Sequence, residues 1–237
     1  MSWKSYIFPQ TILITSSPYN HHIRINEECG RMKLLVNTSP QSGKYIEWLW
    51  QKTLDHFHVF HSFDSRNLRS SNSGNRMINA LILGLGGGTL LTMLARRLPG
   101  IKLTCVDIDP TIIALAKQYF HVDTIPNLII IESDAETFVK KEVSRKHTYD
   151  LVVIDLSFGR DIPPFVTEKS FLTQIYSVIT PTGTLLINYL REKEYRKKSD
   201  DLFPVLQNIF PSISDFEIAN NRFFYCLLRH SREGGNP

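Results

Sequence analysis

Three cysteines in 237 residues, at positions 29, 105 and 226, are too few, too scattered and odd in number to frame a disulfide scaffold. Cys105 falls inside an apolar run and is expected to act as a small core residue. No uncharged apolar run approaches the roughly 18 residues that a membrane helix needs. The opening MSWKSYIFPQ lacks the charged start and long apolar stretch of a secretory signal. A soluble cytoplasmic protein is therefore expected. Charge of one sign is not in large excess either: 27 Lys and Arg against 23 Asp and Glu leave a formal +4. Neither nucleic acid nor a membrane is expected as a partner, and the basic run Arg191 to Lys198 reads as a solvated helix or loop. There is no G-x-S-x-G nucleophile motif and no internal repeat. His56, His58 and His61 are interleaved with Phe57, Val59 and Phe60 on an amphipathic stretch, and His21-His22 lie in a β-turn region. Without a matching Cys or carboxylate, neither group reads as a metal site, and no metal is expected.

With 42% apolar and 21% charged residues, the composition is that of an ordinary globular protein with one large domain and a small appendage. The chain is organised around residues 79–109. Ala80 to Leu83 reads as a buried strand ending in a glycine-rich turn, Gly84-Leu-Gly86-Gly87-Gly88. A helical pattern follows (Leu90, Leu91, Met93, Leu94, Leu98), stopped by Pro99-Gly100. A second strand, Leu103 to Val106, then ends in Asp107. This is a β-α-β unit with glycines at the first turn and an acid at the tip of the second strand. Glycines allow close backbone approach, and the acid can accept both hydroxyls of a ribose, so a nucleoside-containing ligand is the natural reading. A dinucleotide fingerprint wants a further glycine or alanine where Thr89 stands, which disfavours nicotinamide and flavin.

Ahead of this unit, residues 1–43 read as a small β unit with strands at Thr11–Thr15, His22–Asn26 and Met32–Val36. Residues 44–76 read as a helix followed by a polar linker from Ser62 to Asn75. From residue 77 to about 230, strands at 78–83, 102–107, 128–132, 150–155 and 183–188 alternate with helices, which implies a parallel sheet covered on both faces. A helix at 199–210 leads to Ile213–Ala219, an Asn220-Asn221 turn and Phe223–Leu228, a terminal hairpin. The predicted fold is α/β: a methyltransferase-type Rossmann fold, with a mostly parallel seven-stranded sheet and C-terminal antiparallel hairpin, preceded by the small β unit. The tail, 231–237, is polar and Gly/Pro-rich and is expected to be disordered.

Four acids need sorting. Asp109 precedes Pro110, which suits a first helical position, so Asp109 reads as an N-cap. Asp107 has no such local duty and lies about 20 residues past the glycines, where a ribose-binding acid belongs. Asp134 ends the third strand. Ser133 with Glu136 forms a capping-box pattern there, while the functional reading has Asp134 and the Ala135 amide meet an adenine. Asp155 ends the fourth strand, Leu151-Val-Val-Ile154, where open parallel sheets place their ligand crevice. A carboxylate there costs stability unless it is hydrogen-bonded or used.

Taken in order, SPYNHHIRI, LLVNTSPQSG, LILGLGGGTL, VDIDPTIIALAKQYF, ESDAETF, YDLVVIDLSFGRDIPPFVTEKSF and PTGTLLIN resemble the spermidine synthase family of polyamine aminopropyltransferases. The resemblance covers roughly Ser17 to Asn188 and is nearest to a divergent bacterial spermidine synthase-like branch. It implies an aminopropyl transfer to an amine acceptor, in polyamine biosynthesis. Gly84, Gly86, Gly87 and Gly88 would hold the sulfonium-bearing tail of decarboxylated S-adenosylmethionine. Asp107 would hold the ribose and Asp134 and Ala135 the adenine, with Ile108 also at the cofactor. Asp155 matches the family's catalytic aspartate, which takes a proton from the attacking amine. A second family aspartate is Phe158 here, with Asp161 or Glu47 as candidate replacements. The resemblance also implies a homodimer. Two other readings stand beside it: a methyltransferase using S-adenosylmethionine itself, and a non-catalytic nucleoside-binding protein.

Overall fold

The computed structural model describes residues 3–59, 77–159, 162–192 and 194–228. The polar segment Ser62 to Asn75, His61, Asp161 and the tail 231–237 lie outside the described residues.

A four-stranded antiparallel sheet comes first, in the order β1-β2-β3-β4: β1 (Gln10–Thr15), β2 (Ile23–Glu28), β3 (Arg31–Val36) and β4 (Ser39–Pro40). Ile23, Ile25, Leu34 and Val36 point to one side and bury against Ile112 and Leu115 of the main domain. The alternation of these apolar positions is the period-2 signal of a half-buried strand.

Helix α1 (Lys44–His56) follows. Its buried face is Leu49, Trp50, Thr53 and Leu54. Tyr45 and Trp48 are 42% and 43% exposed. The packing picks Trp50, whose ring meets Phe223 edge-on at 5.2 Å between centroids, and the helix turns accordingly.

The main domain holds β5 (Asn79–Leu83), α2 (Thr89–Arg97), β6 (Lys102–Asp107), α3 (Pro110–Phe120), β7 (Leu128–Glu132), α4 (Ala135–Arg145), β8 (Tyr149–Ile154), α5 (Lys169–Ser177), β9 (Ile179–Leu190), α6 (Tyr195–Gln207), β10 (Ser212–Ile218) and β11 (Asn221–Leu227). The sheet order is β10-β11-β9-β8-β5-β6-β7, parallel from β9 to β7 and antiparallel at β11 and β10. It is the methyltransferase-type arrangement expected. Along β5, Ala80 and Ile82 enter one core with α1 and α2, while Leu81 and Leu83 enter the other with α4, α5 and α6. Both faces of the central strands are thus dry, which is why they read as continuous apolar runs.

α6 runs Tyr195–Gln207 against the expected 199–210, and two further boundaries depart from expectation. β9 starts at Ile179, through Pro181 and Gly183, because a register shift between Tyr149 and Leu151 absorbs the irregular stretch. The hairpin turn is Ala219-Asn220, not Asn220-Asn221: Ile218 pairs with Asn221, and the left-handed residue is Ala219, with φ 52°. Asn221 is therefore the first residue of β11. No helix among the described residues is long and apolar enough to cross a membrane.

Candidate active site

From β5 the chain steps outward to β6 and β7, then crosses back to β8 on the opposite side of β5. The sheet order therefore reverses between β5 and β8, and a crevice opens outside their carboxyl ends. Gly84 and Asp155 are the residues that leave those two ends. They are held close: Asp155 N donates to Leu83 O at 2.8 Å, and Gly84 N to Val106 O at 2.8 Å. A Cβ on Gly84 would sit 2.1 Å from the Asp155 carbonyl oxygen, and Gly84 has φ 102°. Only glycine fits there. The other glycines mostly serve packing. A Cβ on Gly87 would fall 2.5 Å from Ser42 Cβ, and one on Gly88 2.3 Å from Val122 Cγ1. The turn thus docks the N-terminal β unit and the loop after α3.

Two connected clefts open here. The inner one, about 660 Å³, is lined by Gly84, Leu85, Gly86, Asp107, Ile108, Asp134, Ala135, Asp155 and Phe158, with Asn20 from the β unit and Pro163 and Phe165 beyond β8. The outer one, about 1050 Å³, shares Gln41, Gly84 to Gly86 and Asp155 to Ser157, and continues over Tyr45, Ile46, Leu49, Trp50, Leu90, Asn188, Leu190, Glu192 and Asn221. The structure gathers Gly84, Gly86, Asp107, Ile108, Asp134, Ala135 and Asp155 around one space, while Gly87 and Gly88 line neither of these two clefts. Among the described lining residues there is no Lys or Arg, whereas Asp107, Asp109, Asp134, Asp155 and Glu192 all contribute.

The acids are fixed in different ways. Asp107, expected to be without local duty, braces the turn: Oδ2 accepts from Leu85 N and Oδ1 from Asp109 N, each at 2.9 Å. Burial raises its pKa, and these amide bonds work against that rise. Asp109 is the N-cap of α3, accepting from Thr111 N at 2.9 Å and Ile112 N at 3.4 Å. It also accepts from Ser17 Oγ and from Asn20 Nδ2 at 2.7 Å, tying the β unit to the main domain. Asp134, rather than Ser133, is the N-cap of α4, accepting from Thr137 N at 2.8 Å. Ser133 Oγ instead donates to the Asp134 carbonyl. Asp134 faces the inner cleft while capping, so the structural and the ligand-facing readings of this residue coexist.

Asp155 stands where the two clefts meet. Its Oδ1 accepts from Asn188 Nδ2 at 2.8 Å, and Asn188 Oδ1 accepts from Asn221 Nδ2 at 2.7 Å. Burial pushes the Asp155 carboxyl up to about 6, against the pull of the Asn188 bond toward the ionised form. That places a proton acceptor near neutrality at the junction of the clefts, the condition general acid–base chemistry needs. At the outer rim, burial and then the Glu192 charge raise the Tyr45 hydroxyl.

Sequence reasoning missed Asn20. It is 4% exposed, lines the inner cleft, donates to Asp109, and its Oδ1 is buried with no hydrogen-bond partner. Its only trace in the sequence was membership of the SPYNHHIRI stretch. Asn188 and Asn221 were also missed as site residues. Tyr19 stacks on Phe158 of the inner cleft, with ring centroids 6.4 Å apart. Among the described residues, no group of three or more His, Cys, Asp or Glu stands together to hold a metal.

Comparison with known proteins agrees with this architecture. Residues 80–183 match a family model described as a methyltransferase domain. The eEF1A lysine and N-terminal methyltransferase homolog of Drosophila pseudoobscura pseudoobscura is 29% identical over 157 residues, covering 62% of this chain and 23% of that protein. The polyamine aminopropyltransferase of Vibrio vulnificus is 27% identical over 152 residues, covering 62% and 50%. The chain thus spans between about a quarter and a half of the length of these curated relatives. Among solved structures, spermidine synthase in complex with the transition state analogue AdoDATO superposes with TM-score 0.70 at 15% identity, over 93% of this chain and 73% of that one. Human methyltransferase-like protein 13 in complex with SAH gives TM-score 0.59 at 23% identity, over 66% and 74%. These likenesses establish the methyltransferase-type fold, shared by aminopropyl- and methyl-transferring relatives.

Proposed function

We propose that this protein is a transferase that alkylates an amine with an adenosyl-sulfonium donor, and that the group it transfers is aminopropyl, from decarboxylated S-adenosylmethionine. The observation that carries the reading is the Asp155 carboxylate at the junction of the two clefts. The inner cleft offers what a nucleoside needs: Asp107 for ribose hydroxyls, and Asp134 and the Ala135 amide for an adenine edge. Gly84 and Gly86 let the sulfonium end pass between the clefts. The outer cleft offers apolar walls for an alkyl chain and Asp155 for the amine.

The chemistry is a direct displacement. The amine lone pair forms a new N–C bond while the C–S⁺ bond breaks, and the thioether leaves neutral. The ammonium so formed, or its precursor, gives one proton to Asp155. A carboxyl near 6 is mostly ionised at neutral pH, so it can both hold the amine in line and accept that proton.

The choice between donors rests on charge. S-adenosylmethionine carries a carboxylate that its decarboxylated form lacks, and the described lining residues supply acids but no Lys or Arg. Such a cleft suits a donor tail that is only cationic. The second reading, methyl transfer from S-adenosylmethionine, is favoured by the methyltransferase domain match and the methyltransferase relatives. Calorimetric titration with S-adenosylmethionine, its decarboxylated form and methylthioadenosine separates them. Preference for the decarboxylated donor is expected. Preference for the carboxylated one turns the reading to methyl transfer, and binding of none by folded protein removes both.

A further inference from the structure

Asn188 and Asn221 come from the two antiparallel partners that close the sheet beyond β8, and both lie outside the matched segment 80–183. Asn188 is near the end of β9, 33 residues from Asp155; Asn221 opens β11, another 33 residues on. Asn221 is 9% exposed. Each amide group of Asn188 meets its complement: Nδ2 faces the Asp155 carboxylate at 2.8 Å, and Oδ1 faces Asn221 Nδ2 at 2.7 Å. Turning the Asn188 amide over would set its oxygen against a carboxylate oxygen and its NH₂ against another NH₂. Asn221 therefore locks Asn188 with its donor aimed at Asp155.

We propose that Asn188 and Asn221 form a directional amide relay through which the C-terminal hairpin positions Asp155, with Asn221 as a positioning residue that touches no reacting atom. The proposal rests on Asp155 being the base of the proposed transfer. Its content is that the hairpin belongs to the catalytic apparatus, and that the two-residue turn at Ala219-Asn220 sets the register that delivers Asn221. A bond donated to the ionised carboxylate favours that form. Losing the relay leaves burial unopposed and moves the proton affinity of Asp155 upward. The other titratable groups around this point are Asp107 and Cys105 of β6, whose thiol is raised first by burial and then by Asp107 and Asp155, and Glu192 on the outer rim. None of them is changed by the test below.

The test is a ¹³C NMR titration of the aspartate carboxyls in the folded full-length protein, beside a pH profile of turnover. Asn188→Leu, close in volume, is expected to raise the Asp155 midpoint by about one pH unit. Asn221→Ala is expected to raise it by roughly half as much, since Asn188 stays but loses its lock. Asn221→Leu keeps the volume and removes the donor without adding a charge, so it stands in if the alanine variant does not fold. The acidic limb of kcat/KM shifts upward by the same amount as the NMR midpoint, with activity recovering above about pH 8. An Asn221 variant that folds and leaves both midpoint and limb unmoved overturns the relay, as does one that lowers turnover equally at every pH. If instead Asp155→Asn retains full turnover, the base assignment fails while the NMR midpoints still decide whether the relay exists.

Discussion

Replacing Asp155 by asparagine separates the cost of this carboxylate to the fold from its use in chemistry. In the unfolded chain its carboxyl titrates near 3.8; in the folded protein burial pushes it up to about 6. The sign follows directly. Below pH 3.8 the group is protonated in both states and imposes no penalty. As pH rises through 3.8 toward 6, the unfolded chain ionises first, and wild-type stability falls relative to a neutral analogue. Above about 6 the penalty is complete, and the interval corresponds to roughly 3 kcal/mol. The amide of the Asp155→Asn variant is uncharged at every pH and can still accept from Asn188 Nδ2, so its stability carries none of this slope. The assay is urea unfolding of both proteins from about pH 4 to pH 8. The stability of Asp155→Asn minus that of wild type is expected to climb by about 2–3 kcal/mol across roughly pH 4 to 6.5 and then stay level. Turnover is expected to be abolished while nucleoside binding is kept. A difference that stays flat with pH would refute the reasoning, because it would mean that the carboxyl is not desolvated in the folded protein.

Other outcomes follow from single contacts. Gly84→Ala places a Cβ 2.1 Å from the Asp155 carbonyl at φ 102°; a loss of about 3 kcal/mol or more is expected in denaturant melts, and a loss below about 1 kcal/mol would mean the strand ends can part. Asp109→Ala removes a helix cap worth about 1 kcal/mol and leaves the buried Asn20 amide unpaired at a further cost of about 1–3 kcal/mol. Thermal melting should drop, and proteolysis should release the N-terminal β unit first; unchanged protection of residues 10–36 counts against the tether. Glu142 lies at the far end of the sheet, 2% exposed, accepting from Tyr149 at 2.7 Å, from His147 Nδ1 and from Arg145. Burial alone would raise its pKa, yet the Tyr149 and His147 bonds hold it below the ordinary 4.5. A lowered folded value gives stability that is present above 4.5 and lost as pH falls through the folded value. Glu142→Gln should flatten that acid limb of wild-type stability, and an unchanged limb would exclude this cluster as its source.

The alternation of β-branched runs with helical periods was legible from residue 77 onward, because strands buried on both faces have no polar positions to blur them. The glycine turn and the acids at strand ends were legible for the same reason: chemistry at a sheet edge must interrupt an apolar run. What each acid does locally was less so. Asp107 and Asp134 carry backbone bonds that no spacing rule separates from a ligand role, and here the two roles fall on one side chain. On α1, packing against the Phe223 ring buries Trp50 while Trp48 stays exposed, a choice between two neighbouring tryptophans that only the fold makes.

By itself the sequence determined the parallel sheet and the carboxylate that ends the central strand, since hydrophobic period and a lone acid after an apolar run are local facts. The tertiary structure alone decided which distant residues meet the site's carboxylates. Asn20, Asn188 and Asn221 belong to no motif that points at an acid; sheet register brings Asn188 to Asp155 and Asn221 to Asn188, and docking of the β unit brings Asn20 to Asp109. A hydrogen bond across 33 or 89 residues leaves no periodic trace in a chain, because its partners are chosen by the packing of everything between them.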